Sequence, residues 1–404
     1  MKHLGRIAIA YLMMTILFTG AMVGVFCIPS SLIEDNVRQS VMQVTQDGKI
    51  FTARVGAIEP FKVGTFSDCL ILGIAYCGDN RQPLQSAMSD IFMMKDGSPV
   101  TGAQQMFDRA QDKELQPVVY SRYWHGNQTL IRPLLCVTTV HGIRVINMLL
   151  LTALLIALLA VMWVRVGRSQ ALIVTASLLA VMMPTVPLCL NYVPTFYIAL
   201  AFSLLILLWQ PATAHRGNTM IVFFVIGALT TFFDLLTTPM VAMAVPLVVY
   251  MLHRKPQQAW RAVITLSLSW LLGYASLWAT KWLLAALITG HAAFSDAMGA
   301  VTQRTVGHNE QEYMLWCLKW TAASFVAIAA FTAVVVAVLG RSWPTLRRNS
   351  WMLLVAMSSY VWAFVLLEHT WHHLHFTWRT FVVLIMGMAL YFRHSLTLTK
   401  PQRS

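Results

Sequence analysis

The sequence predicts an all-α polytopic membrane protein with about ten transmembrane helices and a long extracytoplasmic first loop. Three observations predict it. Of 404 residues, 57% are hydrophobic and 11% charged, with a mean hydropathy of +0.63. A soluble domain carries about 25% charged residues, so a globule of this composition could not wet its surface. Apolar runs of bilayer length recur along the chain. The net charge of +13, from 29 Lys+Arg against 16 Asp+Glu, fits basic cytoplasmic loops. There is no RNA-binding motif and no Lys/Arg-rich run, so nucleic acid is not an expected partner. A soluble enzyme and a disordered scaffold are both excluded.

Residues 1–28 begin with a basic end and continue as an apolar run from Ile7 to Ile28. The run is long enough for a bilayer core, which needs about 20 residues, and no A-x-A site follows it. The reading is an uncleaved signal anchor, with a signal peptide as the alternative. Residues 29–143 differ in kind: they hold most of the acidic residues, carry turn signals such as DG and DN, and lack a long apolar run. Two pieces read as helical, Phe66–Tyr76 after Thr65 and a polar stretch near Gln104–Glu114. The end of this segment, SRYWHGNQTLIRPLL, mixes aromatic and basic residues with apolar ones, as chains at the headgroup level do. Six scattered cysteines have no CxxC spacing. Cys69 and Cys77 stand about 12 Å apart on one helix, too far to bridge; a Cys77–Cys136 disulfide stays open.

Residues 144–394 contain nine further apolar spans, near 145–164, 169–186, 195–209, 219–236, 238–252, 262–283, 314–339, 351–367 and 378–393, and 395–404 form a tail. Alternate short loops carry Arg165, Arg168, Arg216, Arg254, Lys255, Arg261, Arg341, Arg347 and Arg348, while the other set has Arg304 as its clear cation. The bias places both termini in the cytoplasm and 29–143 outside the plasma (inner) membrane. With that orientation all sixteen carboxylates lie outside: eleven in 29–143, then Asp234, Asp296, Glu310, Glu312 and Glu368. Carboxylate chemistry therefore belongs to the outer side. Cytosolic ATP hydrolysis is excluded, because there is no P-loop and no inner acid to hold magnesium.

Ionisable residues within spans are costly and are functional candidates. Lys281, Lys319 and Arg379 fall near outer span ends and suggest an outward basic cavity for a lipid-linked phosphate. Ordinary snorkelling is their bland alternative. Asp234 sits in FFDLLTTP at the outer end of the fifth span, and a hydrated rim carboxylate is its structural reading. Near the ninth span, EHTWHHLHFTWR supplies Glu368, His369, His372 and His373. These could line a substrate pocket with Asp234 and with Arg122, His125 and Arg132. His369 and His372/His373 stand three and four apart and could hold a metal. HTWHH also matches the H-x-x-H-H box of membrane di-iron desaturases, but no second box exists and this one lies outside, so that reading is rejected.

The layout of one span, a long outer loop and many further spans, with its carboxylates outside, resembles the GT-C glycosyltransferases. Glu34-Asp35, shortly after the first span, is similar to the acidic pair that many of these enzymes carry at the start of their first outer loop. TFSDCLIL, SRYWHGNQTLIRPLL, FFDLLTTP and EHTWHHLHFTWR look like segments of uncharacterised bacterial membrane proteins of this type. The resemblance implies transfer of a sugar from a polyprenyl-phosphate donor to a glycan, lipid or protein acceptor. Such a transfer needs a base for the acceptor hydroxyl and charge to stabilise the leaving phosphate, from basic residues or a divalent cation. Asp68 ranks first as base, on an apolar helix expected to lie at the membrane surface, with Asp35, Glu34 and Asp234 after it. A transporter of a lipid-linked glycan or other anionic solute is the alternative, although no internal repeat supports it. A sensor lacks a cytoplasmic output domain.

Overall fold

The computed structural model describes residues 2–50, 61–108, 113–306 and 347–396, together with 319 and 331. In the described residues, five helices are long and apolar enough to cross a membrane. They are α1 (Lys2–Phe26), α7 (Val140–Arg165), α10 (Arg216–Phe233), α12 (Ala259–Thr289) and α16 (Leu374–Ser395), the last tightened to 3-10 geometry at Trp378–Phe381. The chain is therefore a helical, membrane-embedded protein. The bundle also contains α8 (Arg168–Ala180), α9 (Val193–Leu208), α11 (Pro239–Arg254) and α14 (Trp351–Val365). These four fall at expected spans but have only 13 to 16 residues. At 1.5 Å per residue a 16-residue helix covers about 24 Å, short of a hydrocarbon core of about 30 Å. Proline explains part of the shortening: Pro184 and Pro187 force 3-10 geometry over Met183–Leu188 after α8, because proline cannot donate to an α-helical ladder. The span expected at 314–339 lies outside the described residues.

Hydrogen bonds sort the bundle into two ends. At one end Arg6 donates to Asn218, Arg165 to the Leu207 carbonyl, Arg254 to Thr213, and Arg393 to Ser169. The start of α1 and the end of α16 thus share one end. The other end receives residues 29–50, 61–108 and 113–139. Here lie α2 (Glu34–Ile50), α3 (Thr65–Cys77), α4 (Pro83–Ser89), α5 (Pro99–Gln105) and α6 (Gln128–Leu134), with a two-stranded antiparallel ribbon, β1 (Phe92–Met94) with β2 (Gln116–Val118), packed on α3 and α5. Phe92 pairs with Val118 and Met94 with Gln116.

One expectation for this segment is corrected and another falls partly outside the described residues. Of the helix read near Gln104–Glu114, residues 109–112 lie outside the described residues; the described helix is Pro99–Gln105, which passes into a 3-10 turn at Met106–Asp108. Ser98 accepts from the Val100 N–H at 3.2 Å and Pro99 occupies the first turn, a start signal that fixes the register. Helix α3 is not a surface helix: its eight residues from Asp68 to Ala75 are all buried. It is the axis of a core with Val37, Val41, Met93, Ala103 and Leu135. No disulfide joins Cys136 to Cys77; the Cys136 thiol faces the Arg132 carbonyl at 3.7 Å.

This segment is packed firmly on the bundle. Trp124 donates to the Leu277 carbonyl at 2.7 Å, and its ring lies 5.7 Å from Phe18. The Gly126 N–H donates to the Phe232 carbonyl at 2.8 Å. Helices α10 and α12 approach closely enough that a Cβ on Gly227 would strike the Trp270 carbonyl, and one on Gly273 the Phe224 carbonyl. Small residues are what permit such backbone approach between membrane helices.

Candidate functional site

The site gathers where α10 ends. The chain leaves α10 at Asp234 and turns through Leu235–Thr238 into α11. Leu236 is in the left-handed region at φ +63°, costly for a branched side chain and the kind of strain that gathers at functional sites. Thr237 holds the turn: its N–H donates to Asp234 at 3.0 and 3.1 Å and its hydroxyl donates to the same carboxylate. Asp234 is 2% exposed, and no cation stands within salt-bridge distance of it among the described residues. Burial without a counter-charge pushes its carboxyl up to about 7, against the lowering effect of the Thr237 bonds.

Around this loop stand aromatic rings and one half-buried cation. Tyr123 stacks on Trp278 at 5.8 Å, Trp278 meets Tyr274 at 5.5 Å, and Tyr274 stacks on Trp270 at 5.0 Å. Arg304, on α13 (Ala293–Val306), lies over the Tyr123 ring at 5.5 Å and has no carboxylate partner among the described residues. Burial raises the Tyr123 phenol; Arg304 opposes that rise and the Asp234 charge adds to it. The acid and the arginine therefore act on one neighbourhood. Arg122 fixes its wall, donating to both Asp296 oxygens at 3.0 Å, while its carbonyl accepts from Trp278 at 2.6 Å and Trp282 at 3.0 Å. His125 is buried with φ +51°, its ring 5.2 Å from Tyr120 and 6.0 Å from Tyr123. Burial, then the Lys281 charge, holds its imidazole well below the ordinary histidine range.

The histidine string divides. On α15 (Leu367–His372), His369 turns inward and its Nε2 meets the Leu236 carbonyl at 2.8 Å, clamping the strained turn. Its ring lies 4.6 Å from His373. Burial first, then neighbouring positive charge including Arg304, brings His369 down to about 3 and His373 down to about 4, so both are neutral near pH 7. His372 faces outward and pairs with Glu368 at 2.9 Å. Of the shared face read from the spacing, His369 and His373 keep it, whereas His372 points away to Glu368. Among the described residues no group of three or more His, Cys, Asp or Glu is arranged to hold a metal.

Other candidates lie elsewhere. Asp68, expected at a surface, is 0% exposed: one oxygen accepts from the Cys189 thiol at 3.1 Å and the Leu190 N–H at 3.0 Å, and the other meets Arg144 at 3.4 Å. Burial raises its carboxyl despite Arg144. Arg144 also binds Asp47, which meets His141 at 2.9 Å. The four side chains tie α2, α3 and α7 to the loop before α9, a structural role. Glu34 is half-buried and pairs with Arg38 at 3.3 Å; Asp35 is exposed in the first turn of α2. Arg132 donates to the carbonyls of Ala75, Ile28 and Gly78, closing the end of α3.

The three cations expected in one cavity have separate surroundings. Lys281 is 0% exposed, pairs with Asp90 at 2.7 Å and donates to the Ala87 carbonyl at 2.8 Å. Arg379 is buried between Tyr192 and Trp378, and donates to Thr185 at 3.0 Å and the His375 carbonyl at 3.2 Å. Lys319 is exposed, with flanks outside the described residues. Arg304 was passed over, yet it left a signal as the lone clear cation of loops that positive-inside otherwise leaves bare. No protein-family model, curated protein or solved structure matches the chain.

Proposed function

We propose that the protein is a membrane glycosyltransferase of GT-C type, moving a sugar from a polyprenyl-phosphate donor to an acceptor hydroxyl on the outer face of the membrane. One observation carries the reading: Asp234 is a buried carboxylate with no counter-cation among the described residues, and it and Arg304 both act on the Tyr123 phenol. A carboxyl near 7 is matched to general-base work at neutral pH. It takes the acceptor proton as that oxygen attacks the anomeric carbon and the bond to the phosphate oxygen breaks. Arg304 is the group to balance the departing phosphate, as a fork of donors suited to it. Tyr123, Tyr274 and Trp278 offer faces for a sugar ring, and neutral His369 and His373 can exchange hydrogen bonds with hydroxyls. A divalent cation is not needed for these roles.

The topology belongs to the same proposal. The end carrying Arg165, Arg254 and Arg393 faces the cytoplasm, the end carrying residues 29–139 faces outward, and the four shorter helices complete crossings with their flanking turns, as in a ten-span chain. The test is release of polyprenyl phosphate from a labelled lipid-linked sugar by the purified protein in nanodiscs. Asp234→Asn is expected to lose about 10²- to 10⁴-fold in rate, and Arg304→Gln to lose rate while Arg304→Lys keeps part of it. Full activity of Asp234→Asn would end the reading. Passage of intact donor between leaflets without bond cleavage would favour transport instead.

A further inference from the structure

A second cavity, of about 320 Å³, opens between α6, the first turns of α7 and the start of α9. It lies at the low end of the roughly 300–1,000 Å³ that small-molecule sites occupy. Leu130, Leu134, Ile146, Leu150 and Val193 are among its wall residues, and no charged side chain lines it among the described residues. Leu130, Leu150 and neighbouring Leu149 are exposed large apolar residues, the surface a bilayer covers. Counting from Val140, residues 143–150 of α7 lie within about 15 Å of its outer end at 1.5 Å per residue. The cavity thus sits at the boundary between headgroups and hydrocarbon.

Its polar end is unusual. Asn127 lines the cavity, is 3% exposed, and neither its amide nitrogen nor its amide oxygen has a hydrogen-bond partner among the described residues. A buried amide left unpaired is costly, and such groups are satisfied by water or by a bound molecule. The other polar groups there, Asn147 and Tyr197, already bond each other at 3.1 Å. A ligand for this place needs an apolar chain, one acceptor for the Asn127 N–H and one donor for its oxygen. It needs no anionic head, because no cation waits there.

The geometry points to a binding site for a neutral, hydroxyl-bearing glycerolipid of the diacylglycerol class. One acyl chain fills the cavity, the ester carbonyl accepts from Asn127, and the free hydroxyl donates to it. A diester phospholipid carries a charged phosphate where diacylglycerol has its glycerol hydroxyl, and it and a polyprenyl phosphate would each bring a charge to a wall with no cation among the described residues. The site stands apart from the sugar-transfer reading, and its readout involves no sugar.

The full chain in phosphatidylcholine nanodiscs is irradiated with diacylglycerol carrying a diazirine on one acyl chain, and the adducts are mapped. Adducts are expected on 130–134, 143–150 and 193–198. Unlabelled diacylglycerol should compete at least tenfold better than phosphatidic acid or a polyprenyl phosphate of matched chain. Asn127→Leu should cut labelling about tenfold, the loss of two hydrogen bonds, and keep the melting temperature of the lipid-free protein, because no partner is orphaned. Ile146→Trp should block labelling by filling the cavity. Adducts outside these segments, equal competition by phosphatidic acid or polyprenyl phosphate, or unchanged labelling in both variants would overturn the site. If either variant fails to fold, competition on the unaltered chain decides.

Discussion

At the scale of single residues, what matters is whether a buried charge has a partner. Asp68 and Asp90 do, through Arg144 and Lys281; Asp234 has none among the described residues. An isolated buried charge relieves itself by shifting its pKa, whereas a paired one becomes a structural clamp. Two predictions follow the Asp234 shift. Activity should rise with pH through about 7, because the base must be ionised, and the ascending limb of the kcat/KM profile should vanish in Asp234→Asn. Stability should move the other way. Below about pH 4 folded and unfolded chains are both protonated at this position. Between about 4 and 7 the unfolded chain releases the proton while the folded chain keeps it, so folding weakens as pH rises through that window. Asp234→Asn should therefore raise the melting temperature more at pH 8 than at pH 5, measured in detergent with the parent chain alongside.

At the scale of elements, the contacts that set the site in place run from Ala87, Asp90 and Arg122 to α12. Lys281 reaches out of α12 to Asp90 and the end of α4, and Trp278 and Trp282 both donate to the Arg122 carbonyl. Removing one partner of a buried ion pair costs about 3–5 kcal/mol, and replacing both costs far less. Lys281→Met or Asp90→Asn alone should thus lower the melting temperature steeply, and the double variant should recover much of the loss, since asparagine tolerates the left-handed backbone at position 90. A double-mutant cycle on thermal unfolding checks this; additive losses would mean the pair is not coupled. The α10–α12 crossing depends on Gly227 and Gly273, whose missing side chains let each backbone meet the other. Gly227→Leu should separate the helices and sharply lower the yield of folded protein, read by size-exclusion chromatography.

At the scale of the whole molecule, charge sorts the two ends of the bundle and gives a direct test of orientation. Gln104 is exposed near the end of α5, and Gln257 is exposed between α11 and α12 at the opposite end of the bundle. In intact cells Gln104→Cys should react with a membrane-impermeant maleimide above the parent background, and Gln257→Cys should react after permeabilisation only. The reverse pattern would invert the topology and place Asp234 in the cytoplasm.

The sequence by itself determined the class of protein, because composition and apolar run length act additively and need no partner to be read. It also marked the break between the first span and an acid-rich segment, the α3 helix to within a residue at each end, and Asp234 and the histidine string as places to look. It did not reveal which acidic residue is enclosed with a cation, because Arg144 lies 76 positions from Asp68 and Lys281 lies 191 from Asp90. Nor did it show that α3 is a core helix: an apolar stretch reads alike on a membrane surface and inside a packed segment. Arg304, Tyr123 and Trp278 come from distant parts of the chain, and only the docking of the outer segment onto α12 brings them together. Side-chain type is local and legible, whereas pairing and desolvation depend on distance in space, and those decided where the candidate site lies.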